Sequence, residues 1–467
     1  MQVRIMLQIV GDDGTIGTTE EIADLTKVTK GAEDLGLSLA EGKVLLAAAQ
    51  KRIVEAQVSG WLEKHRYCEV SGRKLRCKGS YPITFRTLFG DVQLKSPRFY
   101  VPKERQTNGP AAISPLAQLL PDHVAPERLY LETRWASLLP YAAAAELLAD
   151  VLPVGSCVNA TTVRQHVLRA AERVEGDLAE QRTSLTEGTD PRDWDDLPTP
   201  DGCIVIGLDG GYIRDWRDIK WNFELIVGQS MPEGGEARYI GFVHGYDRKP
   251  QRRIIDQIRG QGFQANQDLT FITDGGDEVR SLAERINPCS EHVLDWFHVT
   301  MRITVLRQFA QGLEHHDKDA GVAALDERRR VKWFLWHGNT YRAQEAIDDL
   351  VLDLEARDSR YPNLRKFRTA MREFQVYIAS NESSLINYGE RYRSSERISS
   401  ASIEVTVNAV VSKRFAKKQQ MQWSRRRVHL LLQTRTRALD GTLRAAFEHW
   451  YPGMTHDNDG SDRQAAA

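Results

Sequence analysis

Three short apolar runs, each closed by an aspartate, set the middle of the chain apart from its flanks. Cys203-Ile204-Val205-Ile206-Gly207-Leu208 stops at Asp209 and Gly210-Gly211. Leu269-Thr270-Phe271-Ile272-Thr273 stops at Asp274 and Gly275-Gly276, and His292-Val293-Leu294 stops at Asp295, ahead of Trp296-Phe297-His298. Apolar runs of this length bounded by glycine predict buried strands. Two further strands are expected over 221–227 and 238–243, parted by a turn at Pro232, and helices over 249–259 and 277–286. A carboxylate at a strand end, on a Gly-Gly turn that admits a bulky ligand, is a metal-site geometry. The competing reading is an ordinary turn aspartate.

The flanks have other periods. Leu45, Leu46, Ala49, Ile53, Val54, Val58, Trp61 and Leu62 recur at helical spacing. Alternating segments around Thr84–Leu88 and Val92–Lys95, joined at Phe89-Gly90-Asp91, predict a hairpin. Residues 126–180 read as helices. Pro153-Val154-Gly155-Ser156 breaks them before Thr161-Thr162-Val163-Arg164-Gln165-His166, which reads either as a helix-turn-helix or as a plain helical hairpin. The polar, proline-marked residues 181–201 read as a linker. After Trp296 the pattern is helical to about Arg393, and a last helix is expected from about Ser402, carrying Glu404, Val407, Asn408, Val411 and Phe415.

Composition changes this picture in two places. The 467 residues carry a formal net charge of -1, yet from Val405 to Leu439 there is no Asp or Glu. That span holds Lys413, Arg414, Lys417, Lys418, Arg425, Arg426 and Arg427, interrupted by Gln419-Gln420-Met421-Gln422-Trp423. An uncompensated basic run interleaved with Gln and Trp favours a phosphate backbone over a merely solvated face. The five cysteines are scattered and form no disulfide framework, and no apolar run reaches membrane-spanning length, so a soluble intracellular protein is expected. Cys68 and Cys77, with eight residues between them and only His65 nearby, read as two thiols rather than a four-ligand zinc site.

At these residues the chain resembles the DDE transposases of bacterial insertion sequences, most closely the ISKra type, related to the Mutator-like group. The resemblance is carried by Gly207-Leu208-Asp209-Gly210-Gly211-Tyr212, Thr273-Asp274-Gly275-Gly276, Asp295-Trp296-Phe297-His298 with Met301-Arg302, and Ser402-Ile403-Glu404 with Asn408. The tail Ser412-Lys413-Arg414 through Lys417-Lys418 to Trp423 adds to it, and the whole covers about Thr84 to Tyr451. The chain departs from many relatives in lacking paired CxxC motifs near its start. The resemblance implies a ribonuclease H-like mixed-sheet α/β core with an all-helical insertion. It implies Asp209, Asp274 and Glu404 as catalytic ligands of two Mg2+ ions, for which Mn2+ can substitute. Such a pair sits roughly 4 Å apart. Asp295 and His298 match a supporting D-x-x-H motif, while Asp295 also reads as a plain helix N-cap. Glu396 is the competitor for the third ligand; Glu404 is preferred because a helix places a ligand more firmly than the Ser/Arg-rich loop around Glu396.

The expected layout follows. Residues 1–110 form a helix and β-hairpin region, 111–180 a helical DNA-binding domain, 181–201 a linker, 202–299 the first part of the core, 300–393 the insertion, 394–452 the Glu helix and basic segment, and 453–467 a disordered tail. The implied function is binding of insertion-sequence ends and metal-dependent DNA cleavage and strand transfer. Its partners are double-stranded DNA, at element ends and target, and further copies of the chain in a dimer or higher oligomer, in a bacterial, nucleoid-associated cytoplasm. Arg164 and Gln165 are the expected base readers. Lys413, Arg414, Lys417, Lys418, Arg425, Arg426 and Arg427 are the expected phosphate contacts. The alternative is a catalytically silent or domesticated DNA-binding protein on the same fold.

Overall fold

Ile204, Ile206 and Leu208 alternate along one strand and bury their side chains with Ile254, Ile255, Ile258, Leu282 and Ile286, while Val205 packs on the opposite face. A strand apolar on both faces must lie inside a covered sheet. The computed structural model describes residues 1–467 except 12–13, 15, 69–71, 102–111, 156–157, 179–201, 218–220, 265, 358–359, 400–406, 416–421 and 458–467. The expected linker and most of the expected tail therefore lie outside the described residues. The protein is mixed α/β, in two compact units: Met1–Arg173 with Gly441–Ala467, and Val174–Asp440.

In the second unit five strands form one sheet: β6 (Ile204–Arg214), β7 (Asn222–Pro232), β8 (Arg238–Val243), β9 (Leu269–Thr273) and β10 (Glu291–Leu294). Their order is β10-β9-β6-β7-β8. Strands β6, β7 and β8 pair antiparallel, and β9 and β10 run parallel to β6. Helices α6 (Pro250–Arg259) and α7 (Asp277–Ile286) cover one face. On the other, a block of α8 (Trp296–Glu314), α9 (Lys318–Trp336), α10 (Thr340–Ala356), α11 (Leu364–Ser380) and α12 (Tyr388–Arg393) shares a core with Ile272, Val293 and Leu294. The chain ends this unit with a π-helical stretch Asn408–Ser412, the single turn α13 (Lys413–Phe415) and α14 (Arg425–Leu439). Helix α14 is buried over most of its length against β8.

The Gly-Gly turn expected after Asp209 is not there. Strand β6 continues through Gly210 and Gly211 to Arg214, because β7 pairs with it without a break from Ile204↔Pro232 to Arg214↔Asn222. A partner strand that keeps supplying hydrogen bonds overrides a local glycine signal.

The first unit opens with a hairpin of β1 (Gln2–Val10) and β2 (Ile16–Thr26), on which no expectation was placed. Helix α1 (Leu39–Lys64) starts at a capping box, Ser38 with Glu41. The expected second hairpin is present and longer than its apolar pattern, β3 (Cys77–Thr87) with β4 (Gly90–Tyr100), extended by β5 (Ala112–Ile113). Helices α2 (Pro115–Leu119), α3 (Pro126–Leu138), α4 (Tyr141–Val151), α5 (Ala160–Asp177), which crosses the boundary between the units, and α15 (Leu443–Trp450) complete it. Fully buried Arg128 bridges Asp91 at 2.7 Å and Glu132 at 2.9 Å, and Glu132 also bonds His166. Burial opposes the Glu132 charge, but His166 and Arg128 outweigh it and lower the carboxyl pKa. Among the described residues no helix is long and apolar enough to cross a membrane.

Candidate active site

The register of the sheet gathers the three aspartates. Leu208 pairs with Thr273, and Thr273 pairs with Leu294. Asp209, Asp274 and Asp295 are therefore each the next residue along three adjacent parallel strands. The backbone N–H of Asp295 donates to the Thr273 carbonyl at 2.8 Å, which carries the register one step past the end of β10. At Asp274 the expected glycine turn does form: Gly275 has φ +88° and the Asp274 carboxylate accepts from the Gly276 N–H at 3.1 Å. A Cβ on Gly275 would meet Asn381 and Leu294, so glycine is required there on two counts.

Asp295 is both cap and site residue. Fully buried, it caps α8 by accepting from the Phe297 N–H at 2.9 Å, and its second oxygen accepts from His298 Nδ1 at 2.9 Å. That bond holds the imidazole pKa above its ordinary value against the effect of burial, and the charges of Asp209 and Asp274 act the same way. Asp209 is half-buried. Burial raises its pKa, His298 and the Gly210 N–H oppose the rise, and Asp274 and Asp295 add to it. The four side chains thus form one electrostatic group.

A row of residues from the helical block braces these strand ends, and the sequence pattern pointed to none of them. Tyr377 donates to the Asp274 carbonyl at 3.0 Å, with the Arg302 guanidinium 4.0 Å from its ring centre. Asn381 bonds Arg280, which also reaches the Gly275 carbonyl. Ser384 bonds His292 Nδ1 at 2.6 Å, His292 Nε2 bonds Thr273 at 2.8 Å, and Tyr388 donates to the Leu294 carbonyl at 2.7 Å. Burial, together with Arg280, pulls the His292 pKa down to about 4. The four come from the last turn of α11, its C-cap, the 3-10 turn Glu382–Ser384 and the start of α12, so no single period in the sequence marks them.

Glu404 lies outside the described residues, as do Lys417 and Lys418. The chain on either side of Glu404 comes to the site. The Ile398 carbonyl accepts from the Trp296 N–H at 3.1 Å, beside Asp295. A Cβ on Gly211, two residues beyond Asp209, would stand 3.7 Å from Val411. Buried Arg435 fixes the π-helical stretch by donating to the carbonyls of Val410, at 2.7 Å, and Ala409. Among the described residues no three His, Cys, Asp or Glu side chains converge as a metal-binding group.

The expected phosphate contacts divide. Lys413, Arg425 and Arg426 are exposed and Arg427 is half-buried. Arg414 is fully buried, its guanidinium 5.4 Å from the Trp423 ring centre, which differs from the exposed contact expected of it. Its helical turn packs Phe415 on Trp423 too, so the aromatic half of the motif builds core. On α5, Gln165 is exposed and Arg164 half-buried, opposite an apolar face of Val163, Val167, Ala170 and Ala171. The α4–α5 connection runs from Leu152 to Asn159, longer than the about three to four residues of a helix-turn-helix turn. No protein-family model matches the chain, and no curated protein matches it.

Proposed function

We propose that this chain cleaves DNA and transfers the strand by metal-dependent phosphodiester transesterification, as a transposase of the DDE kind. The observation that carries the reading is the alignment of Asp209, Asp274 and Asp295 at one level of three adjacent strands, with His298 held among them. The strand order β10-β9-β6-β7-β8, with three antiparallel strands followed by two parallel ones, supports a ribonuclease H-like core. The helical block after β10 supports an insertion. Asp274 and Asp295 follow the carboxyl ends of β9 and β10, where ligands bind in such sheets, and Asp209 stands level with them inside β6.

The donor set fits hard divalent cations, since carboxylates are what Mg2+ and Mn2+ take. A carboxylate whose charge is opposed by burial and by two neighbouring aspartates is offset by a dication. Asp209 and Asp274 would hold the ions, with Glu404 as the third ligand. When bound, the ions supply Lewis acidity at the attacking and leaving oxygens of the phosphodiester. The chain's own residues do the rest. Asp295 bonds His298 Nδ1 and so orients the imidazole beside Asp209 and Asp274, whose charges raise its pKa together with that bond. Tyr377 and Arg302 steady the Asp274 turn, and Arg435 steadies the segment that follows Glu404. Lys413, Arg425 and Arg426 present charge to the DNA backbone.

The test is incubation of the full chain with end-labelled duplexes taken from the DNA flanking its coding sequence, in Mg2+ or Mn2+. Cation-dependent nicking and joined products support the reading. Binding without cleavage under either cation favours the silent DNA-binding protein instead.

A further inference from the structure

We propose that the far end of the β6–β7 pair, with the start of α14, is a stacking platform for an unpaired DNA base; this rests on the reading of the chain as a DNA-processing enzyme. The two strands stay joined past their last ladder pair, because the Asp215 N–H donates to the Trp221 carbonyl at 3.1 Å. The next residue is pinned as well, the Trp216 N–H donating to the Trp423 carbonyl at 3.1 Å. On this held backbone the indoles of Trp216 and Trp221 are left in water, 40% and 68% exposed. Exposed large aromatics on a fixed scaffold mark a binding surface.

The neighbours say what kind of ligand. The Arg217 guanidinium lies 5.9 Å from the Trp216 ring centre, and exposed Arg425 lies 3.9 Å from Asp215. Arg426 follows, also exposed. Flat π-faces among arginines suit a base with its phosphate, whereas an apolar protein partner has no use for the cations. The platform is on the strand that carries Asp209. From Asp209 to Asp215 an extended chain covers roughly 20 Å at about 3.3 Å per residue. Paired DNA advances about 3.4 Å per nucleotide along its axis, so about six nucleotides is the upper bound on that spacing, and an extended unpaired strand crosses it in fewer.

The experiment uses the full chain, a fully paired duplex, and a duplex of equal length ending in unpaired thymidines. A single 2-aminopurine is moved along the unpaired strand. The expected result is tighter binding of the tailed duplex, with 2-aminopurine quenching greatest at one position. Trp216→Ala with Trp221→Ala should remove the preference by about ten-fold. The double Phe variant should keep most of it, and the salt dependence of duplex binding should not change. Equal affinity for both duplexes, or an Ala pair that keeps the preference, overturns the platform while leaving DNA binding standing. So does an Ala pair whose only change is a smaller oligomer on size exclusion, which assigns the surface to protein contact. A chain that binds neither duplex sinks the DNA reading itself, and the platform with it.

Discussion

Asp209 and Asp274 stand at matching positions on adjacent parallel strands, each one residue past the pair Leu208↔Thr273. They reach that level by different routes. Asp274 sits on a turn that needs glycine at 275, whereas Asp209 lies within a strand that runs on to Arg214. The glycines after Asp209 serve close approach instead of turning. A Cβ at Gly210 would stand 2.9 Å from the Glu224 carboxylate, and one at Gly211 would face Val411.

The approach at Gly211 is testable. A methyl group there would be in ordinary contact with Val411, at 3.7 Å. Gly211→Ala should therefore fold and cleave nearly as the parent does. Gly211→Leu should push the Val411 segment off β6 and cost at least ten-fold in cleavage, with duplex affinity retained. The comparison is single-turnover cleavage of the two variants, checked by circular dichroism. Equal activities would mean that this approach does not matter to the site.

Asp295 admits a separation of cap from chemistry. Asp295→Asn keeps an N-cap acceptor, since Asn caps about as well as Asp, so the melting temperature should change little. With its one oxygen kept on the Phe297 N–H, Asn presents an amide nitrogen to His298, so the hydrogen bond that is the main cause of the raised His298 pKa is lost together with the charge. The His298 titration midpoint, followed by NMR, should fall, and cleavage should fall with it. An unchanged midpoint would show that the Asp295 charge does not hold the imidazole.

Strands β8, β9 and β10 were legible because burial in a covered sheet keeps them largely apolar, and helices α6 and α7 because their apolar residues recur at helical spacing among polar ones. The end of β6 was not, because Gly210-Gly211 reads as a turn until the partner β7 is known. Tyr377, Asn381, Ser384 and Tyr388 were illegible for a different reason. Their partners are carbonyls and side chains about a hundred residues earlier, and a polar residue on a helix or in the turn after it reads as surface. Arg414 was misplaced by the same habit, since a charge run does not announce which member turns inward. The β1–β2 hairpin had a visible signal in Val3, Ile5 and Leu7, alternately half-buried, to which no structure was assigned.

Acid stability follows from two half-buried groups. At Glu175 burial raises the pKa, but a hydrogen bond to His429 and the charge of Arg253 overcome it and hold the carboxyl down at about 2. A depressed carboxyl contributes stability above its unfolded value of 4.5 and loses it as pH falls toward 2. His292, depressed to about 4, contributes above 6.5 and loses that share as pH falls toward 4. Glu175→Gln should cost roughly 1.5–3 kcal/mol at pH 7. The gap to the parent should narrow below pH 4.5. Urea midpoints at pH 7, 5 and 4 decide it, and a gap constant across that range would contradict the assignment.

The basic segment should separate by burial. Lys413→Ala with Arg426→Ala should weaken binding to all duplexes and reduce the log–log salt slope by about 0.9 for each phosphate that is no longer neutralised. Arg414→Ala should act on the fold, lowering stability by about 3 kcal/mol, because it empties a fully buried site beside Trp423. Salt-dependent binding and denaturation of both variants provide the check. A salt slope unaltered by the first pair would make those residues a solvated face.

The central claim, that carboxylates brought to one level by the sheet run metal-dependent cleavage, is tested most directly by comparing variants on one labelled duplex in Mg2+. Asp209→Asn, Asp274→Asn and Glu404→Gln should each lose cleavage and joining by a factor of a hundred or more, since such charge stabilisation is worth about 3 kcal/mol or more. Duplex binding and folding should persist, and Glu396→Gln should stay near the parent. Full cleavage by Asp209→Asn or Asp274→Asn would contradict the account. Loss in Glu396→Gln with retention in Glu404→Gln would move the third ligand to the loop.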